Sequence, residues 1–188
     1  SRFDRIQSTE EKMTIDEINS VTEIDLSTYS GKDTIVVVDA LDVFPNLKTL
    51  NVRNCANLQG LYAKNTHLTT LDVTGCTKLT DIGCSGNDLT SIDVSTCPNL
   101  VNFVCEQTPL TALDVTKNPK LYSLLLDSDK LSELDITNCP KLLQAVAQAE
   151  PSASGDTIVY ELQDGTTYFT LQIHKNTNVI TTPKVVST

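Results

Sequence analysis

The chain has no tryptophan, a single methionine, two histidines and only 5% aromatic residues. Aromatic anchors are therefore not what fills its interior, and aliphatic side chains have to supply the core. The two histidines are far apart in sequence, His67 within the repeats described below and His174 beyond them. No Ser-His-Asp order and no glycine-rich phosphate loop accompanies them. Positive charge is also scarce: 14 Lys and Arg stand against 24 Asp and Glu, for a net charge of −10. Without a basic patch to follow phosphates, nucleic acid is not an expected partner, and anionic membrane surfaces are disfavoured for the same reason. No run approaches the ~18 apolar residues of a membrane-spanning helix, so direct membrane insertion is not expected. No signal peptide is visible and the chain opens on Ser1. The expectation is a trimmed chain from which an export signal or lipid anchor has been removed.

What the sequence has instead is a repeat. Leu50-Asn51-Val52, Leu71-Asp72-Val73, Ile92-Asp93-Val94, Leu113-Asp114-Val115 and Leu134-Asp135-Ile136 follow one another at a constant spacing of 21 residues. A fixed period of this length predicts stacked coils, each too small to bury its own apolar edge. A second apolar alternation lies inside each unit, as in Leu79-x-x-Ile82-x-Cys84-x-x-Asn87. Alternation over a few residues reads as a half-buried strand, so each coil is expected to carry two short strands, one on each wall. Leu47, Leu68, Leu89, Leu110 and Leu131 then form one inward ladder, and Leu58, Leu79, Leu100, Leu121 and Leu142 another. Five coils at ~4.8 Å would span about 24 Å. Strands on both walls imply similar spacing and weak curvature, and parallel crossovers imply a right-handed winding.

The ends depart from the period. Ser8-x-x-Glu11 reads as a capping box before a short helix running to about Asn19, and Ile24-Asp25-Leu26 as a degenerate half repeat. Residues 1–34 are thus expected to form an N-terminal cap, residues 35–149 the repeat block and residues 150–188 a C-terminal cap. In that last segment two alternating runs flank Asp164-Gly165, a hairpin signal. An isolated hairpin is marginal in water, so its apolar face is expected to rest on the last coil, with Val179 to Thr182 available as a third strand.

Six cysteines invite a disulfide framework in a secreted chain, but the spacing argues for free buried thiols. Cys55, Cys76, Cys97 and Cys139 fall on one ladder, with Asn118 between the last two, and Cys84 and Cys105 on another. Neighbouring in-register strands hold Cβ atoms near ~4.8 Å apart and parallel, whereas a disulfide wants convergent Cβ atoms at roughly 3.5–4.5 Å. One-sided ladders do not supply a zinc site. Asp72, Asp93, Asp114 and Asp135 form an outward acidic stripe. Stacked like charges repel, and the flanking hydroxyls of Thr70, Thr74, Ser91, Ser95, Thr116 and Thr137 are expected to offset them by hydrogen bonds. Calcium wants a cage of six to eight oxygens, which a row on one strand face does not make. No cofactor is expected.

The repeat resembles the leucine-rich repeat family, with its unit L-x-x-L-x-L-x-x-N/C-x-L. Ile82-x-Cys84-x-x-Asn87-x-Leu89-x-x-Ile92-Asp93-Val94 looks like the nested 21-residue bacterial subclass. Val43-Phe44-Pro45-Asn46-Leu47 looks like the start of the first full repeat in internalin-like cell-surface proteins. The resemblance covers roughly residues 35–148. It implies a β-rich leucine-rich-repeat solenoid and a non-enzymatic binding module, extracytoplasmic, with a protein or possibly a glycan as partner. A structural spacer within a larger surface protein is the alternative, and a polysaccharide-processing β-solenoid enzyme a remote one. Thr66, Thr108 and Asp129 stand where the family has Asn in the second half repeat, which implies looser stitching of those coils.

The candidate binding residues come from the second strand of each coil. Its outward middle positions are Tyr62, Gly83, Val104, Leu125 and Val146, an apolar stripe opposite the acidic wall. Contiguous exposed apolar residues mark interaction surfaces. The competing readings are cover by residues 150–188, and single exposed apolar side chains without a role.

Overall fold

The structure is a computed structural model that describes residues 13–182. The expected capping box at Ser8 and Glu11 lies outside the described residues. Helix α1 (Ile15–Asn19) is instead opened by Thr14 and Glu17, whose side chains each bond the other's backbone N–H. That reciprocal arrangement satisfies two of the donors that a helix start leaves unpaired.

The strands are short and alternate between two walls. In chain order they are β1 (Glu23–Asp25), β2 (Val37–Val38), β3 (Thr49–Asn51), β4 (Gly60–Tyr62), β5 (Thr70–Asp72), β6 (Asp81–Gly83), β7 (Asn102–Cys105), β8 (Ser123–Leu126) and β9 (Glu133–Asp135). Helix α2 (Pro140–Gln148) follows, then β10 (Ser152–Ser154), β11 (Thr157–Asp164), β12 (Thr167–His174) and β13 (Asn178–Ile180). On one wall β2, β4, β6, β7 and β8 pair in parallel, with Leu61, Ile82, Phe103 and Leu124 in one register. Each of those four lies 21 residues beyond the last. On the other wall β1, β3 and β5 align Ile24, Leu50 and Leu71. The degenerate Ile24-Asp25-Leu26 unit therefore stacks as a true coil despite its extra residues. Both leucine ladders point inward, and all ten members are buried.

The two walls are not equivalent. The first runs unbroken through eight strands, in the order β10-β11-β12-β8-β7-β6-β4-β2. The second divides: β1-β3-β5 form one sheet, β9 and β13 another, and a lone bridge between Ser91 and Ala112 stands between them. The expectation of a strand on each wall of every coil fails in the middle of the stack. The Val52 amide bonds the Asp72 carbonyl, closing the coil step there. At the Ile92 and Leu113 coils no strand forms on this second wall.

The fifth coil also departs from the period. Val146, expected on a strand, lies on α2, half-buried against the core. Leu142 keeps its inward ladder place. Pro140 sits in the first turn of α2, where it needs no N–H donor, but Pro98 and Pro119 hold the same place in coils that go on to β7 and β8, so the proline does not by itself make the helix. Leu, Gln and Ala follow, which favour helix over strand. The vacated strand place is taken by β12, which pairs in parallel with β8 and sets Leu171 beside Leu124. β13 does the same on the other wall, setting Val179 beside Leu134. The C-terminal segment thus supplies a further coil, and the hairpin strand β11 closes its outer edge antiparallel to β12.

Candidate functional site

The continuous sheet presents two outward rows. One consists of Tyr62, Gly83, Val104 and Leu125, in register across β4, β6, β7 and β8. The fifth member is Gln172 on β12, which pairs with Leu125, and not Val146. The adjacent row is polar: Asp81, Asn102, Ser123 and Thr170. Its charge is partly tied down, since the Asn102 amide donates to the Asp81 carboxylate at 2.6 Å.

Tyr62 is 41% exposed, while Val104 and Leu125 are half-buried. The Tyr62 ring lies along the sheet over glycines. A Cβ on Gly60 would meet the ring at 3.0 Å, and one on Gly83 at 3.2 Å. Two glycines thus leave the space that lets an aromatic side chain lie flat across neighbouring strands, a pairing that shields bare backbone. Beside it, Asp39, Leu41, Asp42, Lys64 and Tyr62 line an open cleft of about 240 Å³. At the other end the Gln172 amide donates to the Glu106 carboxylate at 2.6 Å, crossing the Leu125 strand. The C-terminal segment joins the sheet at its edge through β12 and does not take the form of a flap over Val104 and Leu125.

The acidic stripe has a local explanation. Asp72, Asp93, Asp114 and Asp135 each accept from the backbone N–H two residues on, at 2.8 to 2.9 Å. The Thr116 and Thr137 hydroxyls donate to the same oxygens. The Ser95 hydroxyl, followed by its backbone N–H, holds the Asp93 carboxyl below the usual carboxylate range. These are Asx turns; those at Asp72 and Asp135 end β5 and β9. Asn51 makes the same bond to the Arg53 amide without a charge. The broken wall leaves Asp93 and Asp114 beside an open groove of about 470 Å³, shared with Ser91, Thr111 and Glu133. Asp72 and Asp135 lie on separate sheets, so the four do not converge. Among the described residues no three His, Cys, Asp or Glu side chains are grouped to hold a metal ion.

Side chains stitch the coil interiors. Asn87 accepts from the Leu68 amide at 2.8 Å and the Thr66 hydroxyl at 2.9 Å, and donates to the Ala63 and Cys84 carbonyls. Thr108 donates to the Cys84 carbonyl. One coil on, the sequence alignment pointed to Asp129, but Asp129 is exposed and Ser128 is buried there, donating to the Leu110 carbonyl at 2.7 Å. Asn65, Gly86 and Gln107 occupy positive φ at the equivalent turn, and Ser128 does not. The altered turn brings the preceding residue inward.

Cys76, Cys97 and Cys139 direct their sulfurs to the carbonyls of Val52, Val73 and Val115, one coil back, and Asn118 directs its amide to Val94 in the same way. All six cysteines are buried and free. Burial pushes the Cys76 and Cys139 thiols up to about 12 and the Cys97 thiol to about 11. None of these three is poised as a nucleophile.

Comparison with known proteins agrees with the repeat. A Leucine Rich repeat family matches residues 64–86. Among solved structures, the functional domain of InlJ from Listeria monocytogenes, which includes a cysteine ladder, is 20% identical with a TM-score of 0.38. The alignment covers 81% of this chain and 42% of that one. No curated protein gives a significant match.

Proposed function

We propose that this chain is a non-enzymatic binding module that engages a protein partner through the outward face of the continuous sheet. The observation that carries the reading is the row Tyr62, Val104 and Leu125. It is apolar, partly exposed, set on the only wall whose pairing is unbroken among the described residues, and lies beside a polar row. Rigid strands hold such a row without an ordering cost on binding, and an aromatic beside aliphatic residues is the composition of interface centres. The leucine-rich repeat at residues 64–86 supports an interaction role.

The same reading takes the stack as a right-handed solenoid of weak curvature. We place the module outside the cytoplasm, at a bacterial surface or secreted, with a glycan as the less favoured ligand class. The test is Leu125→Asp, compared with the parent for capture of candidate surface proteins. Loss of capture with an unchanged melting temperature supports the face. Retained capture excludes this face, and a parent that captures nothing leaves a spacer role.

A further inference from the structure

We propose that Cys84 and Cys105 are joined by a disulfide when the chain folds in the presence of a low-molecular-weight disulfide. The two sulfurs stand 2.8 Å apart, both fully buried, on the inward side where β6 and β7 lie side by side. That separation is shorter than a comfortable contact between two uncharged sulfurs and longer than the ~2.05 Å of a bond. It differs from the rest of the molecule's cysteine chemistry. Cys76, Cys97 and Cys139 each aim at a carbonyl of the coil before and meet no second sulfur among the described residues, whereas the Cys105 sulfur lies 2.8 Å from that of Cys84 and only 3.9 Å from the Cys84 carbonyl. Parallel Cβ vectors at strand spacing disfavour a bridge on general grounds. Cys84 follows β6, which ends at Gly83, while Cys105 is the last residue of β7. The pair therefore sits where regular strand ends and a turn begins, and there the side chains converge.

The chemistry balances by exchange. The Cys84 thiolate attacks a disulfide RS–SR, forming a mixed disulfide and releasing one RS⁻, which takes up the proton the thiol lost. The deprotonated Cys105 sulfur then attacks the Cys84 sulfur and displaces the second RS⁻, which is protonated in turn. Two protein thiols and one RS–SR become one protein disulfide and two RSH. Burial in the folded chain leaves no path for the reagent and disfavours the thiolate. The exchange therefore belongs to folding, before β6 and β7 close.

The experiment is refolding of the full chain from denaturant with excess oxidised glutathione, followed by alkylation under denaturing conditions. The expected product carries two fewer alkylated cysteines than the six present and a mass lower by two hydrogens before alkylation. Cleavage at Asp88 and Asp93, which lie between the two cysteines, is expected to leave the flanking peptides joined until reductant is added. Cys97→Ser should retain the cross-link, while Cys84→Ser and Cys105→Ser should each abolish it, leaving all five remaining cysteines alkylated. Circular dichroism verifies that each variant folds. Six alkylated cysteines in the parent, or a cross-link that survives Cys84→Ser, overturns the proposal.

Discussion

Asn87 shows how much one side chain contributes to this architecture. Its amide links the turn of its own coil to the coil before, so that backbone groups without strand partners are satisfied inside the core. Asn87→Ala would leave the Leu68 amide without its acceptor, at about 1–3 kcal/mol for that group alone. Asn87→Thr should be milder, because Thr108 performs part of the same task one coil on. Urea unfolding of both variants checks the order. Asp93 makes a different, pH-dependent contribution. Its folded pKa lies below the ordinary carboxylate value, so its stabilisation is fully present above the unfolded value of ~3.9 and is lost as pH falls through the folded value. The gap in melting temperature between the parent and Asp93→Asn should therefore narrow in acid below about pH 4. A gap that stays constant from pH 7 to pH 2 would remove the Asx bond as its cause.

At the scale of the element, β12 and α2 carry the largest departures from the repeat. Residues 140–148 follow the 21-residue register in sequence, and Leu142 is buried as that register requires. The register does not by itself distinguish strand from helix over so short an apolar run. The helix-favouring residues Leu143, Gln144 and Ala145 decide the matter locally, since Pro140 recurs as Pro98 and Pro119 in coils that form strands, and β12 then occupies the open edge of β8. Tyr122 and Phe169 meet across that junction at 6.1 Å, with the Lys141 ammonium 4.4 Å above the Phe169 ring. Leu171, fully buried beside Leu124, belongs to the same cooperative core. Leu171→Ala should lower global stability by ~2–5 kcal/mol, with a single unfolding transition. A separate early transition of the C-terminal segment would mean that it folds apart from the coils.

For the whole molecule, the acidic wall and the apolar-lined sheet make opposite predictions. The Asx turns already occupy the aspartates, and these do not converge on one point. Millimolar calcium should leave the melting temperature unchanged, and a rise of many degrees would require a cage that this geometry lacks. The sheet row, by contrast, should lose partner capture on Leu125→Asp without loss of stability, since Leu125 points outward and its neighbours Leu124 and Leu126 carry the core.

The 21-residue spacing by itself determined the inward ladders, the alternation of two walls and the outward placement of Tyr62, Val104 and Leu125. These depend on side-chain period and on the need of each coil to bury its edge against the next. The flanking hydroxyls were legible as partners of the aspartates, but that the bond common to all four comes from the backbone N–H two residues on was shown only by the structure. Only the tertiary structure decided that one wall divides at the Ile92 and Leu113 coils, since strand separation depends on how all the coils pack together. It alone set Gln172 where the period pointed to Val146, because no periodicity tells which distant strand will satisfy an open sheet edge. And it alone brought the Cys84 and Cys105 sulfurs together, because the convergence of two side chains depends on the backbone direction where strand gives way to turn.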